Sequence, residues 1–222
     1  MTAAPDPTTV SPTRRSWTAD VFLAAVGSDV IVLDLRSDAY ACLPDLAQAM
    51  SLDADGAVAE ASLLDALTDL DLLSVPQGPS EPRRAPPVLP SHCLDTGHPR
   101  WSFADVLSFA RAAVVWSRLG PNPPIKSLIK ALPPPSSHRS QRSTAEITRA
   151  FQALLPWAPG QGVCLYRAFV LLTMLRLNGL AAAWVFGVRT WPFGAHCWLQ
   201  CNDAVLDDDP ERVAQYIPIM VI

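Results

Sequence analysis

Proline placement constrains this chain more than any other feature. Twenty-two of the 222 residues are proline, about twice the ordinary share, and they cluster at 5–12, 76–90, 121–124 and 133–135. A proline lacks the backbone donor that a helix interior or a central strand requires, so regular elements must fit between these clusters. The clusters read as joints. They predict a disordered lead-in at 1–16, a first domain at 17–76, a proline-rich linker at 77–100 and a second domain at 101–222. Half of the residues are hydrophobic, enough to give each domain its own core.

Charge and cysteine usage narrow the function classes. The net charge of -4 speaks against a nucleic-acid footprint, which shows as a basic patch or stripe. No run of about 18 uncharged apolar residues occurs; the nearest, Ala168 to Val185, is interrupted by Arg176 and Asn178, so no membrane partner is expected. The five cysteines, at 42, 93, 164, 197 and 201, are odd in number and scattered, unlike a secreted disulfide framework. The N-terminus is polar and proline-rich rather than signal-like. A reducing cytoplasm is the expected location.

Within the first domain, Ala19 to Val26 ends at Gly27-Ser28-Asp29, Val30 to Leu35 is β-branched and apolar, and Ala39 to Leu43 follows the turn Arg36-Ser37-Asp38. These segments predict a three-stranded antiparallel meander. Asp45 to Met50 and Val58 to Leu73 are helical by pattern, with Leu63, Leu64, Leu67, Leu70 and Leu73 on one stripe. The sum is a small winged-helix-like α+β domain. In the second domain, Trp101 to Leu119 reads as a helix stopped by Gly120-Pro121, and Ile125 to Leu132 as a short helical piece. Ser143 and Glu146 form a capping box for a helix reaching about Leu155. A further helix runs from Cys164 to the stop at Asn178-Gly179. Strands are predicted at 181–189, 196–201 and 204–208, with an apolar segment at 216–222. Helices followed by an antiparallel sheet make this domain α+β as well.

Cys164, His196 and the run Asp207-Asp208-Asp209 carry the chemistry. A thiol at a helix N-terminus has a lowered pKa, an imidazole on a strand takes its proton, and a carboxylate on the next strand fixes the imidazole tautomer. That chain order is what a cysteine protease needs. A hairpin near Asn202-Asp203 brings the acids back towards His196, and its register decides which one arrives. A two-residue turn pairs Cys201 with Ala204 and sets Asp209 opposite His196. A three-residue turn sets Asp208 beside Trp198, one step along on the face of His196. Gln161 is a second oxyanion donor beside the Cys164 amide.

A zinc site at His196, Cys197 and Cys201 is the sharpest rival. Strand alternation turns 197 and 201 away from 196, and the pair lacks C-x-x-C spacing, so no metal is expected. Cys42 reads as a packed strand residue and Cys93 as a linker thiol. His92, His98 and His138 read as solvated loop residues.

At these residues the chain resembles the lasso-peptide B proteins, leader peptidases whose catalytic part has a transglutaminase-like, papain-related fold. The resembling stretches are Cys164-Leu165-Tyr166-Arg167-Ala168, Leu172 to Leu180, Ala195 to Gln200 and Leu206 to Asp209. The resemblance implies Cys164, His196 and Asp208 as the catalytic residues, with His196 first a general base and then a general acid. Cys197 departs from the small residue usual there, on the face pointing away from His196. The first 75 residues or so resemble the precursor-recognition element related to the small chaperone of pyrroloquinoline quinone biosynthesis. The implied activity is removal of a leader from a ribosomally made precursor, with no cofactor, ahead of ring closure by an ATP-dependent cyclase partner. The edge strand Asp38, Ala39, Tyr40, Ala41, Cys42 and Leu43, with Leu67 on a groove wall, is where an extended leader would add as a further strand. Two other readings stay open: a non-catalytic precursor-binding adaptor, and acyl transfer to an amine.

Overall fold

The computed structural model of the chain describes residues 13–52, 56–74, 84, 87–95, 97–98, 100–137, 141–158 and 163–222. Two compact units divide it: residues 1–33 with 40–83, and residues 34–39 with 84–222.

The first unit holds β1 (Thr13–Trp17), β2 (Val21–Val26), β3 (Asp29–Asp34), β4 (Ala39–Leu43), β5 (Met50–Leu52), β6 (Gly56–Ala59), α1 (Ala61–Asp69) and β7 (Leu73–Ser74). The expected three-stranded sheet is present, in the order β2-β3-β4. A second, four-stranded sheet, β5-β6-β1-β7, was not expected. Its strand β1 occupies residues placed in the disordered lead-in, and it pairs antiparallel with β6 from Thr13↔Ala59 to Ser16↔Gly56.

Two helical expectations are corrected here. Residues 45–49 form turns rather than a helix, because Asp45 takes a left-handed conformation (φ 57), and Met50 opens β5. Their amides bond outward, Asp45 N–H to the Asp29 carboxylate at 3.2 Å and Ala47 N–H to the Ser28 carbonyl at 2.9 Å. The helix expected over Val58 to Leu73 is only α1. Before it, Gly56 lets β6 approach β1 so closely that a Cβ there would lie 2.0 Å from the Arg15 carbonyl oxygen. After it, Asp71 (φ 57) closes a Schellman turn, with Leu72 N–H on Leu67 O and Asp71 N–H on Thr68 O. Leu73 is thereby handed to a strand. Val21, Val30, Val32, Leu64, Leu67 and Leu73 meet in one core.

The second unit holds β8 (His92–Cys93), α2 (Phe103–Leu119), α3 (Ile125–Ala131), α4 (Thr144–Leu154), α5 (Cys164–Leu177), β9 (Ala183–Arg189), β10 (Gly194–Cys201), β11 (Ala204–Val205), α6 (Pro210–Val213) and β12 (Ile217–Val221). The sheet order is β12-β9-β10-β11-β8. The capping box of Ser143 and Glu146 is formed at α4. The Asn178-Gly179 stop ends α5 in a second Schellman turn, Leu180 N–H on Leu175 O and Gly179 N–H on Arg176 O. Residues from Ala168 to Leu175 are all buried. A helix apolar all round must be enclosed, and α2, α4 and β10 pack against α5. Linker residues 92–93 are not outside this unit, since β8 pairs parallel with β11. Among the described residues no helix is long and apolar enough to cross a membrane.

Candidate active site

Cys164 is the first residue of α5, after Val163 as N-cap. Among the described residues Arg167 N–H is the first of α5 to find a carbonyl one turn back, on Val163; the amides that open a helix have no partner within it. The unpaired amides and the helix dipole favour a negative sulfur. On β10, His196 pairs with Gly187 of β9. Its Nε2 lies 2.5 Å from Asp208 Oδ2, so Nδ1 is the nitrogen left to act on the Cys164 thiol, whose pKa the imidazole lowers. The histidine and aspartate side chains are only 13% and 7% exposed. The rings of Tyr216 and Trp198 flank the imidazole at 5.2 and 6.3 Å. The structure thus brings Cys164, His196 and Asp208 together.

The hairpin has the two-residue turn, with Cys201 opposite Ala204 and Gln200 opposite Val205. Extended further, that register would deliver Asp209 to His196. The ladder instead stops after Leu206 N–H reaches Leu199 O, and the bent chain divides the three acids. Asp207 is buried and accepts the Leu199 amide at 3.2 Å. Asp208 holds His196 and accepts the Asp209 amide on its other oxygen at 2.8 Å, where Arg212 also lies at 3.5 Å. Asp209 caps α6, accepting from Glu211 N–H at 2.8 Å.

These contacts set the protonation states. Hydrogen bonding from Cys197 is the largest cause that brings the Cys164 thiol down to about 4; burial opposes it, and the imidazole adds to it. Burial works against charge on His196, yet the bonds to Asp208 and Cys164 raise it to about 9. Asp208 is lowered, despite burial, by its bond to His196. Burial pushes Asp207 up to about 6. Between about 4 and about 9 the resting pair is therefore thiolate and imidazolium, with an ionised acid behind the ring.

Four side chains around this site escaped the sequence reading. Cys197, next to His196 on β10, is buried and is the largest influence on the Cys164 thiol. Its departure from a small residue was the available signal. Arg167, one turn into α5, donates to the Asp207 carbonyl and so ties the helix to the acidic turn. Tyr216 lies in a segment read only as apolar. Cys93, on β8, donates to the Asp208 carbonyl at 3.4 Å.

Other expected site residues fare differently. Gln161 lies outside the described residues. Leu67 is 3% exposed and belongs to the first unit's core, because α1 turns that side of its stripe inward; it is no groove wall. Tyr40 to Leu43 belong to the first unit, whereas residues 34–39 group with the second, where Asp38 accepts the Ile125 amide at 2.9 Å. Along β4, Ala39, Ala41 and Cys42 are exposed and Tyr40 and Leu43 half-buried. Cys42 is therefore not the packed strand residue expected. Among the described residues no group of three His, Cys, Asp or Glu side chains could hold a metal ion.

Residues 107–221 match the family model described as the transglutaminase-like superfamily. No curated protein and no solved structure gives a match.

Proposed function

The chain belongs to the transglutaminase-like superfamily, which includes cysteine proteases and acyltransferases, and on that premise we propose a cytoplasmic cysteine peptidase that removes the leader of a lasso-peptide precursor. The observation that carries this reading is the 2.5 Å contact of His196 Nε2 with Asp208, together with the lowering of the Cys164 thiol by that same imidazole. The Cys164 thiolate attacks the scissile carbonyl carbon, and the oxygen, now negative, is met by the Cys164 backbone N–H at the start of α5. Protonated His196 gives its Nδ1 proton to the leaving amine, and the acyl-enzyme remains on Cys164. His196, now neutral, takes a proton from water, which attacks the acyl carbon and releases the acid. Asp208 holds the ring in orientation and stabilises its positive form in both half-reactions.

The first unit is read as the recognition half, related to the winged-helix precursor-binding elements, with the leader adding along the edge of β4. An exposed edge of a three-stranded sheet offers unpaired backbone groups to an extended peptide. The freed core peptide would pass to an ATP-dependent cyclase. Cys164→Ala should lower precursor cleavage by about 10⁴-fold or more. Wild-type cleavage in that variant would remove Cys164 as nucleophile, and uniformly inert thiols in the native chain would favour a non-catalytic adaptor. Superfamily membership also favours a second reading, in which an amine rather than water receives the acyl group. Product mass separates the two.

A further inference from the structure

The large apolar side chains that the second unit leaves exposed include three next to the catalytic residues in the chain. Val163, 49% exposed, is the N-cap of α5 and immediately precedes Cys164. Trp191 and Phe193, 83% and 54% exposed, stand in the turn between β9 and β10. Phe193 is three residues ahead of His196, about 10 Å of extended chain. A hairpin turn is ordinarily filled with glycine, asparagine or aspartate. Here it reads Thr190-Trp191-Pro192-Phe193, and Trp191 has a left-handed φ of 53. That conformation is uncommon for a bulky side chain, and such strain gathers at active sites and ligand clamps.

The base of the turn is packed against the imidazole. Gly194 pairs with Arg189 across the hairpin. A Cβ on Gly194 would lie 2.9 Å from Arg189 Nε and 3.6 Å from Tyr216 Cε1, so its backbone rests on both side chains. The Arg189 guanidinium lies 5.3 Å from the centroid of the Tyr216 ring and donates to Gln215 Oε1 at 3.0 Å. The Tyr216 ring is in turn 5.2 Å from that of His196. The two exposed rings thus stand on a packed base that reaches the catalytic histidine.

We propose that Trp191 and Phe193, with Val163 on the Cys164 side, are specificity-determining residues that bind an aromatic side chain of the peptide substrate within about three residues of the bond that is cut. Exposed rings gain by covering apolar surface, and an aromatic partner adds offset or edge-to-face ring contacts. The turn itself carries no charged side chain, and Arg189 at its base is engaged by Gln215 and Tyr216, so the place suits neither an acidic nor a basic residue. The inference rests on the peptidase reading, since it takes Cys164 and His196 as the place of cleavage.

The test alkylates the full chain near pH 7 with two N-substituted iodoacetamides, one ending in 3-phenylpropyl and the other in 3-hydroxypropyl, and reads the rate at Cys164 by peptide mass spectrometry. The first carries its ring up to about 10 Å from the sulfur. Both share one reacting carbon, so their rate ratio divides out the reactivity of the thiolate. The expected ratio at Cys164 is about tenfold in favour of the phenyl reagent. With Trp191→Ala and Phe193→Ala together it should fall to about twofold or less, whereas Trp191→Phe with Phe193→Tyr, which keeps two rings, should hold it within about twofold of the wild type. Trp191→Gly, suited to the left-handed φ, serves if the double alanine variant does not fold. Equal rates for the two reagents in the wild type, or a preference that survives loss of both rings, would overturn the proposal; rapid alkylation by both would still leave the peptidase reading standing. A Cys164 inert to both reagents would sink that reading and this inference with it.

Discussion

At the scale of residues, three consecutive aspartates do three different things, and substitution should separate them. Asp208→Asn keeps the size of the side chain but removes the charge that supports the imidazolium and permits the wrong tautomer. Turnover should fall by roughly 10²- to 10⁴-fold. Asp209→Asn keeps an oxygen for the Glu211 amide, and asparagine caps a helix about as well as aspartate, so turnover should stay within about twofold. Equal losses in steady-state assays of the two variants would mean that the acids are not divided as their hydrogen bonds indicate. The pH dependence follows from the same pair. Cys164 sits near 4 and His196 near 9, so its iodoacetamide alkylation should rise through pH 4 and stay level from about 5 to 8, whereas an ordinary thiol reacts mainly near 8.5 and above. Cleavage needs the imidazolium as well, so kcat/KM should fall both below about 4, as the thiolate is protonated, and above about 9, as the ring loses its proton. An alkylation profile climbing only above pH 8 would rule out the resting ion pair. The order Cys, His, Asp was legible in the chain because each residue type stands beside a helix start or a strand. Which aspartate serves was not, because strand register ends at Leu206 and the last two residues are placed by a bend, a cap and Arg167 rather than by alternation.

At the scale of elements, the site depends on how tightly β9, β10 and β12 are packed around one glycine. Gly187 lies opposite His196 on one side and Pro218 on the other. A Cβ there would fall 2.8 Å from the Trp198 ring and 2.8 Å from the Tyr216 Cβ. Those are the two rings that flank the imidazole, and Trp198 is fully buried, so neither can give way without moving His196. Gly187→Ala should cost about 1–3 kcal/mol of stability and, in the folded fraction, lower kcat more than it raises KM. Thermal unfolding read with steady-state kinetics checks it; a stable variant of normal kcat would show that the rings do not seat the histidine. The elements most legible in the sequence were those with their own punctuation. The Ser143–Glu146 box and the Asn178-Gly179 stop each use local hydrogen bonds, which sequence spacing records. The segments misread, 45–50 and 58–59, are decided by distant partners: the Asp29 carboxylate and Ser28 carbonyl for the first, and the backbone of β1 for the second. Leucine spacing across Leu63 to Leu73 could not reveal that Asp71 turns the chain out of the helix.

At the scale of the whole molecule, the two units have separate hydrophobic clusters, one around Leu64 and Leu73, the other including Val185, Trp198, Val205 and Val213. The proline spacing did not reveal that residues 92–93 would pair with β11, since a two-residue edge strand has no periodicity to detect. If recognition resides in the first unit and chemistry in the second, damage to the first core should separate binding from catalysis. Gly56 is the place to inflict it. A Cβ would sit 2.0 Å from a main-chain oxygen of Arg15, and a backbone atom held in a ladder cannot swing aside as a side chain can, so Gly56→Ala must break the β1–β6 pairing or shift it. A loss of about 3 kcal/mol or more should lower the unfolding midpoint of the first unit alone. The alkylation plateau of Cys164 should be unchanged, because none of the residues around that thiol lies in the damaged sheet. Precursor affinity should fall, so that KM rises while kcat, measured at saturating precursor, stays near the wild-type value. Loss of the Cys164 plateau together with precursor binding would mean that the two cores unfold as one, and unchanged KM in a variant with a demonstrably melted first unit would place leader recognition on the second.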